Sequence, residues 1–461
     1  MFKEVVLFIF LFLQISDSAI CQDVSKTIIL ESLKNATNYL IENQIKNGEP
    51  NKTFVGEWPS YMYMSKPYFL LGKAQKYRDS NCFSITGVFN ALAEAYQYDS
   101  TQQSIIPILQ LAFPELLSYR INEKFNFWKL LPANRDLKRN EKKDSIIYVR
   151  RPTHYGLKSR FINNAANIAF DADDTSMGNL AIFYHNKLFS DSSKKIISNS
   201  VFDNYLDKNR HNYHWHNYLV RIPRKSEAYL TWLDQEDYFK RWSFLKAAGH
   251  NLIFFLPFSS AYPTAYKHYI PWGANDIDAV VNANVLTYLA TSSQLVNAKG
   301  KDGANLLISY QIKRQRWSRA GMYYPNRYHF HYAATRSLIA GNKDLKKEKA
   351  TLLSYLLKTQ LADGNFESRR KVHKKDDIQS TVYATLSLLN LKESGESIPK
   401  KIIEKSIFFL LKNQKLDGSW PGGVFFSGGT VVRNVLYFQS DSYTTALMVL
   451  ALNKYKKIYS L

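Results

Sequence analysis

A short polar cluster followed by a run of small and apolar residues recurs along the chain. Polar side chains of this kind cap the first turn of a helix, and the Ala- and Leu-rich run that follows has helical spacing. The recurring blocks cover residues 80–93, 173–181, 276–286, 329–340, 376–388 and 440–448. The pattern predicts six helices of one kind that pack closely against one another.

A second kind of helix, which ends in a glutamine and a tight turn, lies between several of these blocks. Gln414 is followed by such a turn ending at Trp420, and Gln360 by one ending at Phe366. Glycine permits the left-handed conformation that ends a helix, while the glutamine and the aromatic ring link the turn to a neighbouring helix. Because strand patterns are scarce, the alternation predicts an all-α fold. We expect an α/α toroid with inner and outer rings of helices, about six hairpins and insertions.

Two stretches interrupt the repeat, at about 97–164 and 190–272. Both are longer than the later repeats need and are rich in Tyr, Trp, Arg and His. They are expected to line or cover one end of the ring. A second small helical subdomain is the alternative, but the leading prediction is one toroid domain over 22–461.

The N-terminus has the three parts of an export signal. Lys3 precedes an apolar run over 5–13, and small residues follow up to Cys21. The run is too short to span a bilayer. We expect a signal peptide over 1–21 and a protein exported to a periplasm or secreted, with lipidation of Cys21 as the alternative. Cys82 is then the one cysteine of the mature chain, which excludes an internal disulfide.

The amino-acid composition limits the kinds of binding partner more than it limits the fold class. The 461 residues are 45% hydrophobic and 22% charged, as in globular proteins, and include 8 Trp, 31 Tyr and 28 Phe. The net charge of +22 favours anionic partners, and association with a membrane surface is one prediction. Because the basic residues are spread along the chain, no nucleic-acid partner is predicted. A small molecule or lipid is the expected substrate.

The second block begins with a dense acidic cluster of Asp171, Asp173 and Asp174. One acid is enough to cap a helix, whereas carboxylates crowded in a dry pocket hold a proton between them. A second polar set opens the third block and contains Asp276 and Asp278, with Asn275, Asn282 and Asn284 nearby. We expect both sets to face one cavity; the alternative is that they serve as caps and buried hydrogen-bond networks.

Other residues are candidates for substrate binding. Arg150, Arg151 and His154 form a basic segment suited to a phosphate or uronate, with a solvated loop as the alternative. Trp272 and Tyr332 are expected among the aromatic residues that line the cavity. The three histidines between 211 and 216 lack a nearby Cys or carboxylate to complete a metal site. No metal and no cofactor is therefore predicted.

Two motifs together resemble a known superfamily. The segment from Gln414 to Trp420 is similar to the Gln-Trp repeat of the squalene–hopene cyclases and oxidosqualene cyclases, and 171–176 resembles their Asp-x-Asp-Asp-Thr motif. The resemblance extends over about 40–454. It implies an α/α toroid and a class II terpene cyclase of the isomerase or lyase type. In such an enzyme Asp173 would protonate an alkene or epoxide of a polyprenyl substrate, flanked by Asp171 and Asp174.

The resemblance has limits that leave other functions open. Superfamily members that cyclise triterpenes are longer and contain two toroids, and the toroid is also shared by prenyltransferase subunits and some polysaccharide-processing enzymes. One alternative is an exported carbohydrate-active lyase or hydrolase that acts on an anionic polysaccharide with Tyr or His as base. A non-enzymatic ligand-binding toroid is another. Apolar rings around Asp173 favour a cyclase, and an open cleft with Arg, His and Tyr favours a sugar.

Overall fold

A computed structural model describes residues 25–64, 75–132, 148–153, 168–210, 226–234, 275–318, 320–368, 376–428 and 436–461. The predicted signal peptide over 1–21, His154, Trp272 and the histidines between 211 and 216 lie outside these ranges. Their roles stay predictions.

The described part of the chain is mainly helical. In chain order its helices are α1 (Lys26–Asn43), α2 (Cys82–Tyr98), α3 (Ile105–Leu117), α4 (Ala172–Phe189), α5 (Ser200–Asp203), α6 (Ala279–Thr291), α7 (Lys301–Lys313), α8 (Arg327–Ile339), α9 (Lys349–Thr359), α10 (Asp377–Glu393), α11 (Lys400–Lys412) and α12 (Asp441–Ile458).

The even-numbered helices form a closed inner ring. Each of α2, α4, α6, α8, α10 and α12 packs against the next, and α12 packs back against α2. These helices contain the six blocks read from the sequence, and they are buried around most of their circumference, as along α4 from Ala172 to Ile182. An α/α toroid is therefore confirmed.

The polar residue before an inner helix caps it in most cases. The side chains of Asn81, Asp171, Asp278, Asn326 and Ser440 each accept a hydrogen bond from a backbone N–H of the first turn. An outer helix runs back between consecutive inner helices, so the inner helices all begin at one end of the ring. We call this the N-terminal end, and the opposite end the C-terminal end.

The odd-numbered helices form the outer ring. Each long one buries a single face, and α11 does so with Ile403, Ile407 and Leu410, which recur at helical spacing. Helix α5 is only four residues long and packs through Phe202 against Tyr288 of α6. The segment 97–164, predicted as an insertion, includes α3 and thus a member of the outer ring.

Glutamines at the ends of outer helices link each helix to the next. The amide of Gln44 donates to the carbonyls of Gly56 and of Ile108 on α3, at 2.9 and 2.8 Å. Gln360 donates to Ile402 and Ser406 of α11. Gln414 donates to the carbonyl of Ser32 at 3.0 Å. Because Ser32 lies on α1, this last bond joins the two ends of the chain and closes the outer ring.

Glycine is required in the turn that follows Gln414. Gly418 has a φ of +87°, and a Cβ there would lie 2.2 Å from the backbone oxygen of Asn35 on α1. The indole of Trp420 is fully buried and donates to the carbonyl of Leu410 at 2.6 Å. The turn therefore locks α11 against α1, as the sequence pattern predicts.

Short strands occur in the connections between helices. They are β1 (Tyr61–Met64), β2 (Tyr77–Arg78), β3 (Arg120–Ile121), β4 (Lys124–Phe125), β5 (Leu130–Pro132), β6 (Tyr148–Arg150), β7 (Val424–Gly428) and β8 (Leu436–Gln439). Four of them form an antiparallel sheet in the order β2-β1-β8-β7. Among the described residues, no helix is both long and apolar enough to cross a membrane.

The cross-links of the outer ring predict a measurable loss of stability. Replacing Gln44 by Ala leaves two buried carbonyls without the side-chain donor, and we expect the free energy of unfolding to fall by about 1–3 kcal/mol. Urea denaturation measures the change. Glu42→Ala, an exposed change in the same last turn of α1, is the control and should shift stability by less than about 0.5 kcal/mol. Equal midpoints for the two variants would contradict the role of Gln44.

Candidate active site

A pocket lies inside the inner ring and is lined by side chains of five inner helices. Its lining residues are Phe83, Thr86, Gly87, Ala91, Met177, Asn284, His329, Tyr332, Arg336, Tyr443 and Leu447. Most of them are aromatic or aliphatic, and a few polar groups lie among them. This composition is typical of a small-molecule site.

Asp173 lies in the first turn of α4 and bonds to the pocket residue Asn284. The amide of Asn284 on α6 donates to Oδ1 of Asp173 at 2.7 Å. Within the described part of the chain, the second carboxyl oxygen has no hydrogen-bonding partner. The side chain is buried, and its pKa is raised well above the usual value, first by burial and then by the neighbouring charge of Asp171. Burial therefore favours the protonated form of Asp173 over the carboxylate.

The two flanking acids have different environments. Asp171 is the N-cap of α4 and accepts from the backbone N–H of Asp174 at 2.7 Å, and burial raises its pKa to about 6. Asp174 points the other way, towards α2, where its carboxyl group contacts the thiol of Cys82. Burial and the two neighbouring acids raise the pKa of Asp174 as well. Asp171 thus supplies the cap, and Asp173 bonds to the pocket residue Asn284.

The second polar set mostly holds structure together. Asp278 caps α6, accepting from the backbone N–H of Val280 at 2.7 Å, and Asp276 accepts from the hydroxyl of Tyr323 at 2.7 Å. Neither lines the pocket, although the charge of Asp278 is close enough to raise the pKa of Asp173. Asn284 is the member of this set that meets the acidic cluster. A substrate-binding role for Asp276 and Asp278 stays a prediction.

The predicted basic residues bind backbone carbonyls. Arg150 is buried, donates to the carbonyl of Trp128 at 2.8 Å and lies over the ring of Phe170. Arg151 donates to the carbonyls of Pro132 and Pro152. Both therefore help to hold the segment between α3 and α4, and their role towards a substrate stays a prediction.

Tyr332 lies in the pocket wall, where the sequence analysis expects an aromatic ring. It stacks on Tyr383 of α10 with ring centroids 5.8 Å apart. His329, one turn earlier on α8, also lines the pocket and stacks on the same ring at 4.4 Å. Burial lowers the pKa of His329 to about 3, so its imidazole is neutral. His331 points outward to Tyr355 of α9.

The sequence analysis did not identify an ion pair between a buried arginine, which lines the pocket, and a partly buried glutamate. The guanidinium of Arg336 on α8 bonds to the carboxylate of Glu94 on α2, and the hydroxyl of Tyr184 donates to the same oxygen at 3.0 Å. Arg336 follows His329 by seven residues, two helical turns, so its place on the pocket face could have been read from periodicity. Its pairing with Glu94, which lies 242 residues away in the sequence, could not have been read from the sequence pattern.

Aromatic rings from the connecting segments pack at the N-terminal end of the pocket. Phe83 of α2 stacks on Phe425 at 5.2 Å, and Phe426 of β7 stacks on Phe127 at 4.9 Å and on Tyr323 at 5.8 Å. Aromatic faces of this kind can stabilise a cation by about 0.5–2 kcal/mol each when desolvated.

Among the residues that the structure describes, no group of three His, Cys, Asp or Glu side chains is placed to hold a metal ion. Asp171, Asp173 and Asp174 point in three directions, because one caps a helix, one faces α6 and one faces α2.

The comparisons with known proteins identify the fold. No family model and no curated protein matches the chain. A variant of the type II terpene cyclase MstE from Scytonema, in its apo form, is 11% identical over 94% of this chain and all of that one, with a TM-score of 0.52. Another variant of it, in complex with its substrate geranylgeranyl dihydroxybenzoate, is 13% identical over 95% of this chain and all of that one, with a TM-score of 0.51.

An unsaturated glucuronyl hydrolase specific for heparin aligns over 95% of this chain and 99% of its own, at 11% identity and a TM-score of 0.49. At such identities the likeness to solved structures establishes the α/α toroid and leaves the activity to be argued from the residues themselves.

The raised pKa of Asp173 predicts how its replacement changes stability with pH. Between the ordinary Asp value of about 3.9 and the higher folded-state pKa, the folded chain keeps a proton that the unfolded chain releases. The free energy of unfolding therefore falls as the pH rises through this window. We expect Asp173→Asn to be more stable than the natural chain, with a gain that grows from about pH 4 to neutral pH.

Urea denaturation at a series of pH values measures this gain. Asp171→Asn is the control, because Asn also caps a helix and the pKa of Asp171 is raised only to about 6. The gain in the free energy of unfolding of Asp171→Asn should level off above about pH 6. If the curves of Asp173→Asn and the natural chain run parallel, Asp173 is not protonated in the folded state.

Proposed function

We propose that the protein is a class II terpene cyclase-like enzyme that cyclises a polyprenyl substrate, with Asp173 as the proton donor. The observation that supports this most is a buried carboxyl group with a raised pKa, which is hydrogen-bonded to Asn284 in the wall of a pocket lined largely by aromatic and aliphatic side chains. Protonating an alkene requires a carboxylic acid that still holds its proton and is kept away from water.

The first step transfers the proton of Asp173 to the terminal alkene. The π electrons of the alkene form the new C–H bond, a tertiary cation develops on the adjacent carbon, and Asp173 becomes a carboxylate. The amide of Asn284, which already donates to Oδ1, stabilises this anion. Helix dipoles also favour negative charge at the start of α4.

The cation is then attacked by the next alkene of the folded chain, and the last cation loses a proton to solvent, which ends the cascade. A proton from solvent restores the acid form of Asp173, so the net reaction is an isomerisation. Phe83, Tyr332 and Tyr443 in the pocket wall present rings to the cationic intermediates. A wall without free water favours ring closure over quenching of the cation by hydroxide. The toroid shared with a cyclase that binds geranylgeranyl dihydroxybenzoate supports the same reading.

A carbohydrate substrate has less support from the described pocket. An anionic polysaccharide would need an uncompensated cation to bind its uronate groups. Arg336 is the cationic side chain of the described lining, and Glu94 neutralises it at contact distance.

We also propose that the protein is exported and that it associates with a membrane surface.

Replacing the acid tests the proposed function. We expect Asp173→Asn to lower cyclisation by at least about a hundredfold, the scale of a lost general acid. Mass spectrometry of organic extracts would measure cyclised products after incubation with squalene, with linear prenyl diphosphates and with a prenylated dihydroxybenzoate.

Asp376→Asn is the matched control. Asp376 is also a buried acid at the start of an inner helix, but its side chain accepts from the backbone N–H of Val424, whereas Asp173 accepts from the pocket residue Asn284. This variant should keep its activity. A folded Asp173→Asn protein that still forms the cyclised product would overturn the assignment of the acid, and a natural chain that cyclises none of these substrates would overturn the proposed function.

A further inference from the structure

Three neighbouring helices of the outer ring present lysines outward. Gln360 links the end of α9 to α11, and Gln414 links the end of α11 to α1, so the three helices lie side by side. We call their outward faces, with the turns that follow α9 and α11, the basic wall. Six of its lysines are at least partly exposed and form no ion pair within the described part of the chain: Lys26, Lys34, Lys358, Lys401, Lys405 and Lys412.

Helical spacing places these lysines on continuous stripes. On α11, Lys401, Lys405, Phe408 and Lys412 follow one another at intervals of four, three and four residues, so they share one face of the helix. The ammonium group of Lys412 lies over the ring of Phe408, 4.2 Å from its centre. The lysines and the ring therefore form one surface along α11.

Exposed apolar side chains lie among these lysines. Large apolar side chains are exposed at eleven positions in the described part of the chain, and five of these belong to the basic wall: Ile28, Leu30, Leu357, Leu361 and Leu416. Leu416 is fully exposed in the turn after α11, and Leu361 lies in the corresponding turn after α9. Single exposed leucines are common, but leucines mixed with lysines on three adjacent helices are typical of a surface that lies in a membrane interface.

Carboxylates are fewer on the basic wall. Glu31 and Glu42 of α1 are exposed, while Asp363 and Asp417 each accept a hydrogen bond from a backbone N–H two residues later in their own turns. The next outer helix, α3, has no Lys or Arg, and its one acid, Glu115, is buried. The excess of positive charge on α9, α11 and α1 therefore ends at α3.

We propose that the basic wall docks onto a bilayer of anionic phospholipids, with α9, α11 and α1 lying along its surface. The lysines would meet the phosphate groups, and the leucines would enter the boundary between headgroups and acyl chains. A nucleic acid would offer phosphates to the lysines but no apolar environment to the leucines. This inference rests on the membrane association proposed above and is independent of the chemistry at Asp173.

Co-sedimentation with lipid vesicles tests the proposal. We expect the protein to bind vesicles that contain about 30% phosphatidylglycerol at least about tenfold more tightly than vesicles of phosphatidylcholine alone. The difference should shrink as the salt concentration rises from about 0.05 M to about 0.5 M. A triple variant, Lys358→Gln with Lys401→Gln and Lys412→Gln, should bind the anionic vesicles at least about tenfold more weakly than the natural chain.

A second triple variant is the matched control. Lys187→Gln, Lys194→Gln and Lys195→Gln remove the same charge from exposed positions at and after the end of α4, away from the basic wall. This variant should bind the anionic vesicles within about twofold of the natural chain, because charges farther from the membrane than a Debye length are screened.

The apolar contribution is tested by a single pair of substitutions. We expect Leu416→Ser to weaken binding to anionic vesicles about threefold, and Val296→Ser, an exposed apolar position outside the basic wall, to leave it unchanged.

Three outcomes would overturn the docking proposal. They are equal losses in the wall variants and their controls, equal binding to neutral and anionic vesicles, and retention on heparin–agarose without binding to any vesicle. If the wall variants bind anionic vesicles as tightly as the natural chain, the membrane association stands and the basic wall is not its site. Cyclisation by Asp173 is measured separately on organic extracts, so none of these outcomes decides the proposed enzymatic function.

Discussion

Burial of the Asp173 carboxyl group is the constraint on which the rest of the structure depends. Removing a carboxylate from water is so unfavourable that burial raises the pKa of Asp173 well above its usual value, and this effect lasts only while water stays out. The closed ring meets the condition, because each inner helix is covered by its two inner neighbours and by the outer ring. The bond of Gln414 to Ser32 completes that enclosure where the chain ends would otherwise leave a gap.

The start of α4 shows how one short motif serves several purposes. The free N–H groups of a first turn need an acceptor, and Asp171 provides it, so Asp173 is not drawn into capping. Successive side chains on a helix point in different directions, which sends Asp173 towards α6 and Asp174 towards α2. Three acids in four positions therefore occupy three different environments, and burial raises the pKa of each.

The features that could be predicted from the sequence involve residues that lie close together in the chain. The features that could not be predicted involve residues that lie far apart in the chain. Helix caps, small-residue runs and the turns after Gln360 and Gln414 each lie within about ten residues, so the toroid and the acidic cluster were predictable. The pair of Glu94 with Arg336 and the stacking of Phe127 on Phe426 depend on closure of the ring. Short strands such as β7 escaped notice because their pairing partners, not their own pattern, define them.

Because the inner helices all run in the same direction, the partial charges of their two ends are separated along the ring axis. Their N-terminal ends carry partial positive charge near the acidic cluster, and their C-terminal ends carry partial negative charge near Arg336 and Lys454. Burial raises the pKa of Asp173, whereas the helix ends and the amide of Asn284 favour its anionic form. In the proposed mechanism, the same architecture would keep the proton in place at rest and lower the free energy of the state that follows its release.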